Sequence, residues 1–174
     1  RKDPSAIKAL ETLAISGSVP EARSQALWTL KGLDALSPQI LRSGLSDSDI
    51  RVQKQAVRLS EPFFNTNQAL LTQVLKLAAT DDKSLIQQLA YSLGESSSAI
   101  AGITLIDLLL ANQDDALLRA AALSSLVPHL DSAAQHRLSD ILNSDKLTII
   151  EGFIQTVVGS GNKEALLATL TALL

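Results

Sequence analysis

Apolar residues along this chain recur in steps of three and four, and the steps themselves recur. Around Ala26 the chain reads "EARSQALWTL", around Ala56 "IRVQKQAVRL", around Ala90 "SLIQQLAYSL", around Ala122 "ALLRAAALSSL" and around Ile154 "TIIEGFIQTV". An apolar residue stands four places before each of these positions (Ala22, Val52, Ile86, Leu118, Ile150), and another follows three or four places after it. Spacing of i, i+4 and i+7 or i+8 is one face of an α-helix, so each string predicts an amphipathic helix with its register residue turned inward. The five register residues lie 30, 34, 32 and 32 positions apart. Further periodic faces predict helices at about 5–16, 38–45, 66–79, 97–111, 132–143 and 163–174, so that each period holds an antiparallel helix pair.

Polar punctuation agrees with this division. Four of the five register helices follow a short acidic turn: "SDSD" at 46–49, "TDD" at 80–82, "NQDD" at 112–115 and "NSD" at 143–145. Asp, Asn and Ser accept the unpaired N–H groups of a helix start, and their negative charge suits the positive end of its dipole. Pro20 and Pro38 stand where a first-turn proline costs little. Gly94 follows a helix end, where a left-handed residue is expected, and "GSGN" at 159–162 marks a further break. One helix pair cannot bury its apolar face alone, so neighbours of like pattern must stack. Small Ala at the register position lets the helices approach closely. The expected fold is all-α: a right-handed α-solenoid of about five helix pairs.

Composition narrows the picture. The chain of 174 residues is long enough for one domain with a sizeable core, here taken as 1–174. Its hydrophobic share of 46% contains only 3% aromatic residues, which favours helix built from Leu and Ala. Three Phe, one Tyr and one Trp cannot supply the aromatic positions of tetratricopeptide repeats, and the Thr-Pro-Leu-His corner of ankyrin repeats is missing. A net charge of -3 with no basic run argues against nucleic acid as a partner. The absence of Cys removes disulfides, thiolate metal sites and cysteine nucleophiles while leaving the compartment open. The most apolar window, 99–111, carries Asp107 and is far shorter than the roughly 20 residues of a membrane span, so it predicts a buried helix and no membrane insertion. Opening on "RKDPSA" and closing on "LLATLTALL", the sequence reads as a piece of a larger chain.

The rhythm of Asp47, Asp49, Val52, Ala56 and Leu59, repeated as Asp81, Ile86, Ala90, Leu93 and Gly94, resembles the HEAT family in its short bacterial form, over essentially the whole chain. Three strings, "ARSQALWTLKGLDAL" at 22–36, "IQQLAYSLGE" at 86–95 and "LRAAALSSL" at 118–126, resemble one narrower group. That group is the HEAT segment of large bacterial proteins joining a propeller similar to sugar dehydrogenases to a haem-binding c-type cytochrome domain. The resemblance implies an exported parent, periplasmic or extracellular, whose propeller and haem carry redox chemistry. The Cys-x-x-Cys-His motif is absent here, so no haem site is implied for this segment.

Chemistry-bearing residues are few. His129 and His136, with Asp131 and Asp140 nearby, contain the elements of a metal site, yet "PHLDS" reads as a loop, and loop histidines are the plainer reading. Asp47, Asp49, Asp81, Asp82, Asp114 and Asp115 lack the central Gly and closing Glu of a calcium loop, so capping is their expected role. No Gly-x-Ser-x-Gly, P-loop, Gly-x-Gly-x-x-Gly or His-Glu-x-x-His pattern occurs. No catalytic, cofactor or metal site is expected.

Trp28 is the exception worth following. With Ala26 inward, Trp28 sits about 200° round the helix, on the far side. Extended through the repeats, that stripe defines a candidate interaction groove of Trp28, Lys31, Lys54, Arg58, Gln88, Ser92 and Ser124. Trp and Arg commonly anchor protein partners. Alternatively, Trp28 packs on the first repeat or on a neighbouring domain. Three functions follow: a non-catalytic scaffold segment of a larger protein, a stand-alone peptide- or protein-binding adaptor, and an enzyme similar to phycobilisome lyases, which use HEAT-like repeats.

Overall fold

The computed structural model describes residues 3–174; residues 1 and 2, with which the expected domain begins, lie outside them. Among the described residues, twelve α-helices follow one another: α1 Pro4–Ser16, α2 Pro20–Gly32, α3 Pro38–Leu45, α4 Ile50–Ser60, α5 Gln68–Lys76, α6 Lys83–Ser92, α7 Ala99–Ala111, α8 Ala116–Ser125, α9 Leu130–His136, α10 Leu138–Leu142, α11 Leu147–Ser160 and α12 Lys163–Leu173. Among the described residues there is no strand, so the fold class is all-α. Among the described residues, no helix is long and apolar enough to cross a membrane.

Local chemistry sets the boundaries. Pro4, Pro20 and Pro38 each open a helix, where a missing N–H leaves nothing unpaired. Asp49, Asp82 and Asp115 accept backbone N–H groups of the helices they precede, as the acidic turns predicted. The fourth turn differs: Lys146 stands at the N-cap of α11, and no side chain caps that end. At the other end of α11, Gly161 adopts the left-handed conformation (φ 69°), the role sequence had assigned to Gly94. Gly94 instead answers a packing demand, because a Cβ there would stand 2.9 Å from the Cβ of Ser125 and 3.1 Å from its Cα.

Two expected helices change form. The helix expected at 66–79 is α5 plus a 3-10 turn at Leu77–Ala79. The one expected at 132–143 is broken into α9 and α10 at Arg137, whose guanidinium is tied to Asp140 and to Asp107 of α7, each at 2.6 Å.

The chain divides into two compact units, one ending at Gln88 and the other beginning at Leu89. In the first, α1 packs on α2 and α3 on α4, while α2 meets α4, α1 meets α3 and α3 meets α5. In the second, α7 packs on α8 and α11 on α12, while α7 meets α9, α9 meets α12 and α8 meets α11. Register residues Ala26, Ala56, Ala90 and Ala122 are all buried. The closeness that small residues permit is visible at Gly44 of α3, where an added Cβ would lie 2.9 Å from the Cβ of Ala56. The fifth register residue is a correction. Ile149, Phe153 and Val157 are buried in α11, whereas Ile150 and Ile154 are only half-buried. Gly152 explains the one-residue shift: its missing side chain is filled by Leu123 of α8, whose Cδ1 would lie 2.5 Å from a Cβ, and that contact turns α11 about its axis.

The sequence period reappears in the bonds between helices. Glu21–Arg51, Arg42–Gln73, Tyr91–Ser125, Leu93–His129, Asp107–Arg137, Gln113–Ser144, Asp114–Lys146 and Asp131–Asn162 each join residues 30 to 36 positions apart. A second device recurs along the chain. Arg23, Gln53 and Arg119, each three places before a register Ala, donate to the carbonyl six residues earlier, of Gly17, Asp47 and Gln113, at 2.7, 2.6 and 3.0 Å. Each ties the start of its helix to the turn before it.

Candidate functional site

The surface around Trp28 is built by α2 and α4 of the first unit. Trp28 lies on α2 two residues beyond the buried Ala26, and its ring is half-buried. The indole Nε1 donates to Gln55 Oε1 of α4 at 2.8 Å, which fixes the ring in one orientation. Lys31 Nζ lies 4.8 Å from the ring centroid and the Arg58 guanidinium carbon 5.7 Å from it, both within cation–π range. Lys31 is exposed, and so is Arg58. Among the described residues, neither forms an ion pair with a carboxylate.

Two hollows border this cluster, one walled in part by Trp28 and the other in part by Lys31. One, of about 290 Å³, is lined by Pro20, Glu21, Ser24, Gln25, Trp28, Arg51 and Gln55. Its rim is neutralised, because Arg51 pairs with Glu21 and, at 2.8 Å, with Asp49. The Arg51 hydrogen bond, foremost among its contacts, holds the Asp49 carboxyl down at about 2. The other hollow, of about 260 Å³, is lined by Lys31, Asp34, Leu36, Leu59, Pro62 and Phe63 and is the more apolar in its residues. Asp34 adopts a positive φ of 48° just after α2 and so turns the chain toward Leu36.

Beneath this surface a buried clasp holds the helices in place. Arg23 of α2 grips Asp47, in the turn before α4, through two hydrogen bonds of 2.7 Å. The side chains are 11% and 8% exposed. Burial pushes the Asp47 carboxyl up, but the Arg23 guanidinium and the Asp49 N–H outweigh it and hold it below the usual range. Bidentate pairing of this kind fixes orientation as well as charge.

The seven residues of the expected groove fare differently. Trp28, Lys31 and Arg58 come together. Lys54 is half-buried and lies near Asp82, whose carboxyl is lowered first by the Ser84 hydroxyl, then by the Leu85 N–H and, least, by the charge of Lys54. Gln88 is half-buried at the end of the first unit, and Ser124 is exposed in the second. Ser92 is a correction: at 0% exposure it belongs to the core, because α6 ends there and the chain tightens into a 3-10 turn at Leu93–Glu95. Sequence reasoning missed Gln55, although it lies one place before Ala56, about 260° round the wheel and only some 60° from the direction of Trp28. The apolar hollow of Leu36, Leu59, Pro62 and Phe63 was not legible, because it joins the loop after α2 to the end of α4 and the 3-10 turn at Glu61–Phe63.

One histidine, His129, is a correction as well. His129 is 3% exposed, with Nε2 3.1 Å from the Leu93 carbonyl oxygen; a carbonyl only accepts, so Nε2 carries the proton. Its ring lies against Gly102 of α7, where a Cβ would stand 2.7 Å from the His129 Cβ. His136 is exposed at the end of α9, beside a separate hollow of about 370 Å³. Among the described residues, no three His, Cys, Asp or Glu side chains converge as a metal-binding group. Compared with known proteins, the chain matches no family model, no curated protein and no solved structure.

Proposed function

We propose that this chain is a HEAT-like stack of helix pairs, a right-handed α-solenoid, and that it serves as a non-catalytic scaffold segment that docks other protein through the Trp28 face. The stack is supported by the recurrence of one packing scheme in each unit and by bonds joining residues 30 to 36 positions apart. The docking role rests on one observation: a half-buried Trp locked by Gln55, with two exposed cations against its ring and a hollow on either side. A fixed aromatic loses little conformational freedom when covered, which is what makes Trp and Arg effective anchors. A parent protein with propeller and haem domains rests on the three resembling strings alone.

The test is photo-cross-linking in the natural parent protein with a benzophenone amino acid at position 28. Adducts to another region of the same chain are the expected result and support the scaffold. Adducts to a separate protein favour the adaptor instead. No adduct at position 28, with adducts readily formed at an exposed control position, overturns the docking role.

A further inference from the structure

We infer that the occupant of the Trp28 face is an acidic protein segment with an aromatic or large apolar side chain among its carboxylates. The inference rests on the docking reading above and adds the chemistry of the partner. The protein is acidic as a whole, with a net charge of -3, yet Lys31 and Arg58 converge on one ring. Four other cations on described elements are paired with carboxylates: Arg23 with Asp47, Arg51 with Glu21 and Asp49, Arg137 with Asp107 and Asp140, and Lys146 with Asp114. Lys31 and Arg58 instead lie against the ring. A carboxylate arriving over the ring edge meets both.

Geometry supplies the second half of the recognition. Lys31 is at once the cation nearest the ring and part of the wall of the hollow formed with Leu36, Leu59, Pro62 and Phe63. A segment that places a carboxylate on Lys31 and Arg58 therefore delivers a neighbouring side chain into an apolar recess of about 260 Å³. Charge fixes the register and the recess supplies the buried apolar contact. Leu36, Leu59, Pro62 and Phe63 in the lining suit an uncharged inserted side chain. A basic segment is repelled where an acidic one is drawn in.

Trp28 is the sole Trp, so its emission reports this site directly. The experiment titrates the protein with ten-residue peptides that carry one Phe among Glu residues, and with versions in which Gln or Lys replaces Glu or Ala replaces Phe. The Glu–Phe peptide is expected to shift Trp28 emission saturably, more weakly as salt rises. The Gln version and the protein variants Lys31→Gln and Arg58→Gln should each weaken binding on the order of tenfold, the loss of one charge-assisted contact. Circular dichroism and the thermal midpoint of those two variants should match the parent, since both side chains are exposed. No saturable response to the Glu–Phe peptide at millimolar concentration overturns the inference, as does equal binding of the Gln or Lys version. Equal response to phosphatidylglycerol vesicles or to a single-stranded oligonucleotide overturns it too, because the face would then attract any polyanion. A cross-link from position 28 to a neutral or basic protein segment removes the acidic partner and leaves the docking role standing.

Discussion

At the residue scale, His129 is where physics and pattern part. A histidine in "PHLDS" reads as a loop residue, yet it is buried because Gly102, 27 residues earlier, leaves a gap in α7 that the ring fills. That pairing is between two distant residues of unlike type, and no periodicity announces it. Burial lowers the His129 pKa below its ordinary 6.5, partly offset by the bond to the Leu93 carbonyl. The unfolded chain then binds the proton more readily, so His129 contributes its full stability above about pH 6.5, and the contribution is lost as pH falls through the folded pKa. Thermal midpoints measured from pH 7.5 to 5 should fall, and His129→Gln, which can donate to the same carbonyl without titrating, should flatten the curve. The lowered carboxylates, Asp49 at about 2 among them, lose their contribution below their ordinary 3.8 and leave this window clean. Gly102→Ala drives a methyl into the ring and should cost about 1–3 kcal/mol in denaturant unfolding, the range of core overpacking.

At the element scale, glycines divide by what surrounds them. Gly44 meets Ala56 across the α3–α4 contact, so Gly44→Ala should destabilise by about 1–3 kcal/mol. Gly159 lies within α11 with nothing within 4 Å of an added Cβ, so Gly159→Ala should stabilise by about 0.5–1 kcal/mol through helix propensity. Opposite signs from one chemical change, read from urea midpoints at unchanged m-value, check the helix contacts directly. Helix existence was legible throughout, since periodic apolar faces and proline or acidic starts are local signals. The rotation of α11 was not, because Ile149, Ile150, Phe153, Ile154, Val157 and Val158 fill two adjacent stripes and only contact with Leu123 chooses between them. Nor was the break at Arg137, which comes with two carboxylates, one of them 30 residues away.

At the scale of the whole molecule, the proposed stack makes a claim that a single-centred helical globule does not: disturbance should fade with distance along the chain. In an array where each pair touches only its neighbours, stability is approximately a sum of local and nearest-neighbour contributions. Asn162 offers a clean handle in the second unit. Its Oδ1 accepts the Ala165 N–H at 2.9 Å to cap α12, and its Nδ2 donates to Asp131 of α9 at 2.8 Å. Asn162→Ala removes both and should cost about 1 kcal/mol, the usual loss of a cap. Hydrogen exchange followed by mass spectrometry should then rise most in α12, less in α9, α10 and α11, which pack on it, and least in α7 and α8, whose main contacts are with other helices. A uniform rise from α7 to α12 would mean that these helices open as one body around a common core, and the nearest-neighbour account of the repeats would fail for this unit.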